Sequence, residues 1–90
     1  MDKLYFRRRW EETRGDEFDN WGFSTWYFET DLKGLPIRQV ECYDNGKVLK
    51  YDSIKQFDNY GQLGEHELDL SEFDKFEIAN DIFENIWNKY

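Results

Sequence analysis

A chain of 90 residues with a net charge of −8 has room for one core, so residues 1–90 are read as a single domain that buries only about 60% of its unfolded surface. Its longest apolar runs are three residues, which excludes a spanning helix of about 20, and its one cysteine, Cys42, excludes an internal disulfide. An acidic balance opposes general nucleic-acid binding, because phosphate contacts need clustered Lys and Arg.

The hydrophobic fraction is 39%, yet eight Phe, six Tyr and four Trp stand among those residues, so few but bulky rings must make the core. Charge is unevenly spread. Residues 1–10 carry +3, 11–35 carry −5, 36–62 are neutral and 63–90 carry −6. Two acidic segments therefore flank a neutral middle, which favours a basic partner.

Along the chain, Leu4, Phe6 and Trp10 alternate with Tyr5, Arg7 and Arg9 as in a half-buried strand, with Arg8 on the apolar face. A residue so placed must snorkel or pair with a carboxylate of the acidic segments. Glu11 to Asn20 is polar and contains Gly15, which predicts a mobile connection. Phe23 to Thr30 is rich in aromatic and β-branched residues and reads as a second strand. Gly34 and Pro36 place a turn before Ile37–Tyr43, with ladder pairing expected to begin after the proline. The Asn45-Gly46 step between that run and Lys47–Tyr51 predicts a hairpin with a type I′ turn, whose two central residues need positive φ.

Ser53 to Gly64 stays open between strand, helix and loop. Glu65 to Leu70 alternates and reads as a short edge strand guarded by its charges. Ser71 with Asp74 suggests a capped helical turn. Asn80 is the expected N-cap of a last helix, Asp81 sits favourably in its first turn, and Ile82, Phe83, Ile86, Trp87 and Tyr90 fall on one stripe. The elements predict an α+β fold, an antiparallel sheet of about four to five strands with the C-terminal helix packed on one face. Trp26, Phe28, Val40, Leu49, Ile82, Phe83, Ile86 and Trp87 are the expected core.

Catalytic chemistry finds little footing. His66 is the one histidine, and in a strand it would point away from Glu65 and Glu67, so neither a metal site nor a general base is expected, nor any cofactor. Cys42 between Glu41 and Tyr43 reads as a small buried hydrophobe. Arg7, Arg8 and Arg9 beside Tyr5 and Trp10 could face a single-stranded nucleic acid, but with a net charge of −8 they are expected instead to neutralise the protein's own carboxylates and stack on its rings. The remaining feature is the acidic run from Glu11 to Asp19 backed by Phe18, Trp21 and Phe23. Glu11, Glu12, Asp16, Glu17, Asp19 and Trp21 are the expected partner-binding residues, carboxylates for steering and a ring for anchorage.

The succession Tyr5-Phe6-Arg7-Arg8-Arg9-Trp10, Tyr27-Phe28-Glu29-Thr30-Asp31, Ile37 to Lys47, Leu63-Gly64-Glu65 and Phe83-Glu84-Asn85-Ile86-Trp87 resembles a widespread bacterial family of small uncharacterised acidic α+β domains. The acidic stretch near residues 14–20 and Arg8 in place of an aliphatic residue depart from its pattern. The family is similar to the immunity proteins encoded beside polymorphic toxins. That resemblance implies a cytoplasmic, non-enzymatic protein that neutralises a cognate toxin, such as a nuclease with a basic groove, through its acidic surface. The alternative is a phage-type inhibitor of a nucleic-acid-guided defence complex, or a regulatory adaptor. Neither reading calls for a nucleic acid or a membrane as partner.

Overall fold

A computed structural model describes residues 3–90. Four strands, β1 (Leu4–Trp10), β2 (Ser24–Thr30), β3 (Pro36–Tyr43) and β4 (Val48–Tyr51), form one antiparallel sheet in chain order. A one-turn helix α1 (Leu70–Phe73) and the C-terminal helix α2 (Asn80–Lys89) follow. This is the expected α+β architecture, with four strands. Among the described residues no helix is long and apolar enough to cross a membrane.

The side-chain period of two divides the sheet into two faces. Phe6 pairs with Phe28, Phe28 with Gln39 and Gln39 with Tyr51, which puts these residues on one face together with Arg8, Trp26, Glu41 and Leu49. Tyr5, Glu29, Arg38 and Val40 share the other. Both faces are covered. Helix α2 lies on the second, where Phe83 packs on Tyr5 with ring centroids 5.6 Å apart and Trp87 stacks on Phe83. Lys50 Nζ donates to the Trp87 carbonyl at 2.8 Å, satisfying a C-terminal acceptor of the helix.

The first face carries two apolar clusters. One gathers Phe6, Phe28 and Phe73 with Leu4, Trp26, Leu68 and Leu70; the other gathers Trp21, Tyr43, Leu49 and Tyr51 with Phe18, Tyr60 and Leu63. Gln39 and Glu41 of β3 are buried on the same face. Arg8, the polar residue on the apolar side of β1, pairs with Glu72 at 2.7 Å and lies over the rings of Trp10, Phe73 and Phe76. The outer edge of β1 is partly occupied as well, because Ile78 N donates to the Tyr5 carbonyl at 2.8 Å and Glu77 bridges Phe6.

Several local expectations are corrected. The 44–46 hairpin forms, but Gly46 alone in it has a positive φ, of 93°, so the turn is not type I′. Gly46 N reaches the Tyr43 carbonyl and Tyr43 N the Lys47 carbonyl, both at 2.9 Å, the pattern of a type I turn with a left-handed glycine. The cause lies outside the hairpin: Asp44 N and Asn45 N donate to the carbonyls of Phe23 and Trp21, which hold that turn against the start of β2. Ladder pairing includes Pro36, opposite Thr30 across a bulge, instead of starting after it. Residues 65–69 are not a strand, for β1 to β4 complete the sheet and this segment makes a single backbone bond to the β2–β3 turn, Leu68 N to Gly34 O at 2.9 Å.

Asp69, two residues before Ser71, caps α1 by accepting from Ser71 N at 3.0 Å. Ala79 occupies the N-cap position of α2 without a side-chain bond, because Ile78 is drawn into extended pairing with Tyr5 and sets the helix start one residue early. Asn80 is therefore the first helical residue. Ile82, expected in the core, is 41% exposed, while Phe83 is fully buried and Ile86 and Trp87 are half-buried. Residues 53–64, left open by sequence, form successive turns in which Asp52 and Asp58 accept from the amides of Ile54, Lys55, Tyr60 and Gly61.

Gly34 sits at φ 95°, and a Cβ there would stand 2.9 Å from the Leu68 carbonyl oxygen. Gly46, at φ 93°, has open space around that position. Gly34→Ala is therefore expected to lower stability by on the order of 2 kcal/mol and Gly46→Ala by about half as much, the difference measuring the clash apart from the strained φ. Urea unfolding of the two variants reads this directly, and equal losses would show that Leu68 yields.

Candidate functional site

The segment between β1 and β2 is folded, not the mobile connection expected. Asp16 Oδ1 accepts from Phe18 N and Asp19 Oδ1 from Gly15 N, both at 2.8 Å, and a 3₁₀ turn runs over Asp19–Trp21. Arg14 ties the segment down: its guanidinium donates to the Tyr60 carbonyl, to Asp16 at 3.2 Å and to the Tyr43 hydroxyl at 3.4 Å. It also lies over the rings of Phe18, Trp21 and Tyr43. Three aromatic side chains thus bind the acidic segment to the core.

The six expected partner-binding residues divide accordingly. Glu11, Glu12, Asp16, Glu17 and Asp19 are exposed. Glu12 and Asp16 line an open cleft of about 480 Å³ on the first face of the sheet, and Glu11 lines a shallower recess beside it, shared with Arg8, Arg9, Trp10 and Glu12. Asp19 is held below the usual carboxylate range by hydrogen bonds from Thr13 and the Gly15 amide. Trp21 is the correction. It is 9% exposed and packs against Tyr43, Phe18 and Tyr60 at centroid distances of 5.1, 4.9 and 5.4 Å, because the 3₁₀ turn directs it inward. It is a core residue and presents no exposed ring beside the acids.

The cleft runs between the 12–16 segment and the 60–62 turn, with Ser24 and Trp26 of β2 and Glu41 and Tyr43 of β3 at its base and Trp10 at one end. Glu41 is 3% exposed. Its two oxygens accept from the Tyr43 hydroxyl and from Gln39 Nε2, each at 2.7 Å. Among the described residues it has no cation within ion-pair distance. Burial pushes its carboxyl above the usual range, outweighing the two hydrogen bonds and the more distant Arg14. Gln39, which donates to Glu41, also donates to the Gln62 carbonyl at 3.2 Å and accepts from Gly64 N at 2.9 Å.

Sequence reasoning missed Glu41, Arg14, Tyr60 and Gln62 as site residues. Period-two alternation did place Gln39, Glu41 and Tyr43 on one face of a strand, and three polar-tipped residues opposite Val40 were the available signal. Arg14 carried none, being a single cation in an acidic loop.

Two of the cations near the N-terminus are engaged by the protein's own carboxylates. Arg9 grips Asp44 with two hydrogen bonds of 3.0 and 3.1 Å and lies over Phe23, and Arg9 in turn holds the Asp44 carboxyl below its ordinary range. With Arg8 on Glu72, two of the three consecutive arginines are engaged by the protein's own carboxylates and rings. His66 is exposed, and among the described residues no group of three His, Cys, Asp or Glu is placed to hold a metal ion. Cys42 is a free, half-buried thiol on the helix-covered face, pushed up by burial and by Glu41.

These elements define a class, a small α+β domain with a four-stranded antiparallel meander, one covering helix and a carboxylate-floored cleft on the opposite face. Comparison with protein-family models, with curated proteins and with solved structures gives no match.

Proposed function

We propose that the chain is a non-enzymatic protein-binding domain that captures a basic protein, acting in the cytoplasm as an immunity-type inhibitor of a toxin such as a nuclease. The observation that carries the reading is the pairing pattern. Arg8, Arg9, Arg14 and Arg38 are each paired with the protein's own carboxylates, whereas among the described residues Glu11, Glu12 and Glu17 make no ion pair and stand exposed on one segment beside an open cleft. A surface of this kind presents carboxylates where a basic groove would otherwise hold phosphates, and attracts such a groove over a Debye length of about 10 Å at 0.1 M salt. The firm anchoring of the segment by Arg14 limits the ordering entropy that binding would cost.

Affinity capture from a native lysate at low and high salt tests the reading, followed by kinetics with the captured partner. Replacing Glu11, Glu12 and Glu17 together by lysine is expected to leave the circular-dichroism spectrum unchanged and to slow association by about tenfold or more at low salt, with a flatter salt dependence. Salt-insensitive binding would remove the electrostatic basis, and recovery of a nucleic-acid-guided complex would favour the phage-type inhibitor instead. A shift of a labelled oligonucleotide at low salt would overturn the protein-binding reading.

A further inference from the structure

The sheet ends in two unlike edges. At β1 the outer edge is engaged by Ile78, which donates to the Tyr5 carbonyl, and by Glu77, which bridges Phe6. At β4, the last strand in the order, the register decides which groups point outward. Tyr43 N donates to the Lys47 carbonyl, and that pair continues the register of Cys42 with Val48 and Glu41 with Leu49. Bonded and non-bonded pairs alternate in an antiparallel ladder, so Leu49 and Tyr51 bond β3 while the N–H and C=O of Val48 and Lys50 turn away from it. The other neighbour of β3 agrees: Asp44 N donates to the Phe23 carbonyl, which assigns Cys42 and Val40 to β2 and leaves Glu41 and Gln39 for β4. Among the described residues no other segment makes a backbone bond to Val48 or Lys50, so two donors and two acceptors stand open along this edge.

Charged side chains, lysine above all, are the usual guard of an open edge. Here both lysines are drawn onto the domain itself. Lys50 Nζ donates to the Trp87 carbonyl at 2.8 Å and lies over the Trp87 ring at 4.3 Å, while Lys47 lies over Tyr60 at 4.6 Å on the opposite face. No carboxylate stands in Val48–Tyr51. Ile54 and Phe57, which are 93% and 73% exposed, follow the strand within six residues.

The open groups complement themselves. Val48 and Lys50 flank Leu49, so a two-fold axis through Leu49, normal to the sheet, sets Val48 of each copy opposite Lys50 of the other. Both become bonded pairs, and every open donor meets an open acceptor. An axis through Lys50 would instead oppose the two lysines and match Val48 with Asp52, whose N–H is already given to the Lys55 carbonyl. Independently of the partner-binding reading, we propose that β4 is a homodimerisation edge, pairing antiparallel with β4 of a second copy about Leu49 so that the two sheets become one. A foreign strand would have to match this spacing, whereas a second copy has it by symmetry. In this arrangement the segment after Tyr51 runs toward the 44–46 turn of the second copy, which brings Ile54 and Phe57 to the side of the contact.

Four residues of strand make a small contact, so the dissociation constant is expected on the order of 0.1 mM. Each copy carries −8, so added salt should tighten the dimer, opposite to its effect on capture of a basic protein. Sedimentation equilibrium of the full chain between about 0.02 and 1 mM, at low and high salt, reads the association. Amide hydrogen exchange locates it. The amides of Leu49 and Tyr51 should be protected at every concentration, whereas those of Val48 and Lys50 should exchange freely when dilute and slow by about fivefold at the highest concentration, following the monomer that remains. Val48→Pro removes an outward donor and no bond to β3, and is expected to weaken the dimer at least about tenfold with the circular-dichroism spectrum retained. Should that variant unfold, the exchange pattern of the parent chain decides by itself.

A chain still monomeric at 1 mM would overturn the proposal, as would a dimer in which Val48 and Lys50 stay unprotected. Protection of these two amides only on addition of a captured protein would assign the edge to a foreign strand and equally overturn it. Replacing Glu11, Glu12 and Glu17 by lysine separates the two readings: it should abolish capture of a basic partner and leave the β4 dimer in place.

Discussion

Phe83→Ala is expected to cost about 3–5 kcal/mol, a large part of the stability of a domain this size. Phe83 is fully buried on the second face, where it meets the Tyr5 ring at 5.6 Å, stacks with Trp87 and carries the Arg38 guanidinium on its own face. The ten residues of α2 are too few to hold a helix alone in water, since isolated helices below about 12–15 residues are marginal. Losing Phe83 therefore releases the helix as well as a ring. Val40, fully buried on the same face of the sheet, would then become more exposed, adding to the loss. Urea unfolding followed by tryptophan fluorescence should show a sharply lowered midpoint, with Ile82→Ala on the exposed side of the helix shifting it by less than about 0.5 kcal/mol. Equal effects at the two positions would mean that the helix face has been assigned wrongly.

How far the fold could be read from sequence depends on which interactions were local. Alternation in Leu4–Trp10, the aromatic and β-branched residues of Phe23–Thr30 and the Asn45-Gly46 step sufficed for β1, β2 and the hairpin of β3 and β4, because pleat and turn residues act over a few positions. The turn type was not legible, for it is decided by bonds from Asp44 and Asn45 to residues more than twenty positions earlier. The same holds for Asn80, displaced from the cap by the pairing of Ile78 with Tyr5, and for Trp21, whose direction follows from a 3₁₀ turn and from rings at Tyr43 and Tyr60. Glu65 to Leu70 had the period of a strand but is tied to the β2–β3 turn through Leu68 N and Gly34 O and does not run along a sheet edge. The acidic surface was visible as composition, whereas the cleft was not, since its floor comes from β2 and β3 and its sides from two loops that only the fold brings together.

Breaking the ion pair beneath α2 separates the contributions of the two buried glutamates. Tyr5, Glu29 and Arg38 stand side by side across β1, β2 and β3, and Arg38 binds Glu29 through two hydrogen bonds of 2.6 and 3.0 Å before reaching Glu84 on the helix. Glu29 is 3% exposed. Arg38→Met leaves that carboxylate buried without a counter-charge and is expected to destabilise by about 3–5 kcal/mol at neutral pH. Adding Glu29→Gln should recover most of the loss, because the unpaired charge and not the missing contact is the main penalty, and a double variant no more stable than Arg38→Met would refute this.

The pH dependence gives a second reading of the same pair. Burial alone would push the Glu29 carboxyl up, but Arg38 and Tyr5 outweigh it and hold the group below its ordinary value. Its contribution is therefore complete above the unfolded value of about 4.3 and lost as pH falls through the folded one. Without Arg38 the sign reverses, since burial then raises the folded value, and the variant should lose less stability on acidification than the parent does. Glu41 already behaves in that reversed way: its raised carboxyl favours the folded state fully below about 4.3, and that contribution disappears as pH rises through its folded value. A parent chain therefore contains two buried carboxylates of opposite linkage, one satisfied within the fold and one facing the cleft. Unfolding measured between acid and neutral pH for the parent, Arg38→Met and Glu41→Gln should give three different slopes, with that of Glu41→Gln steeper toward acid loss than the parent, because the protonation that favoured its folded state at low pH is gone.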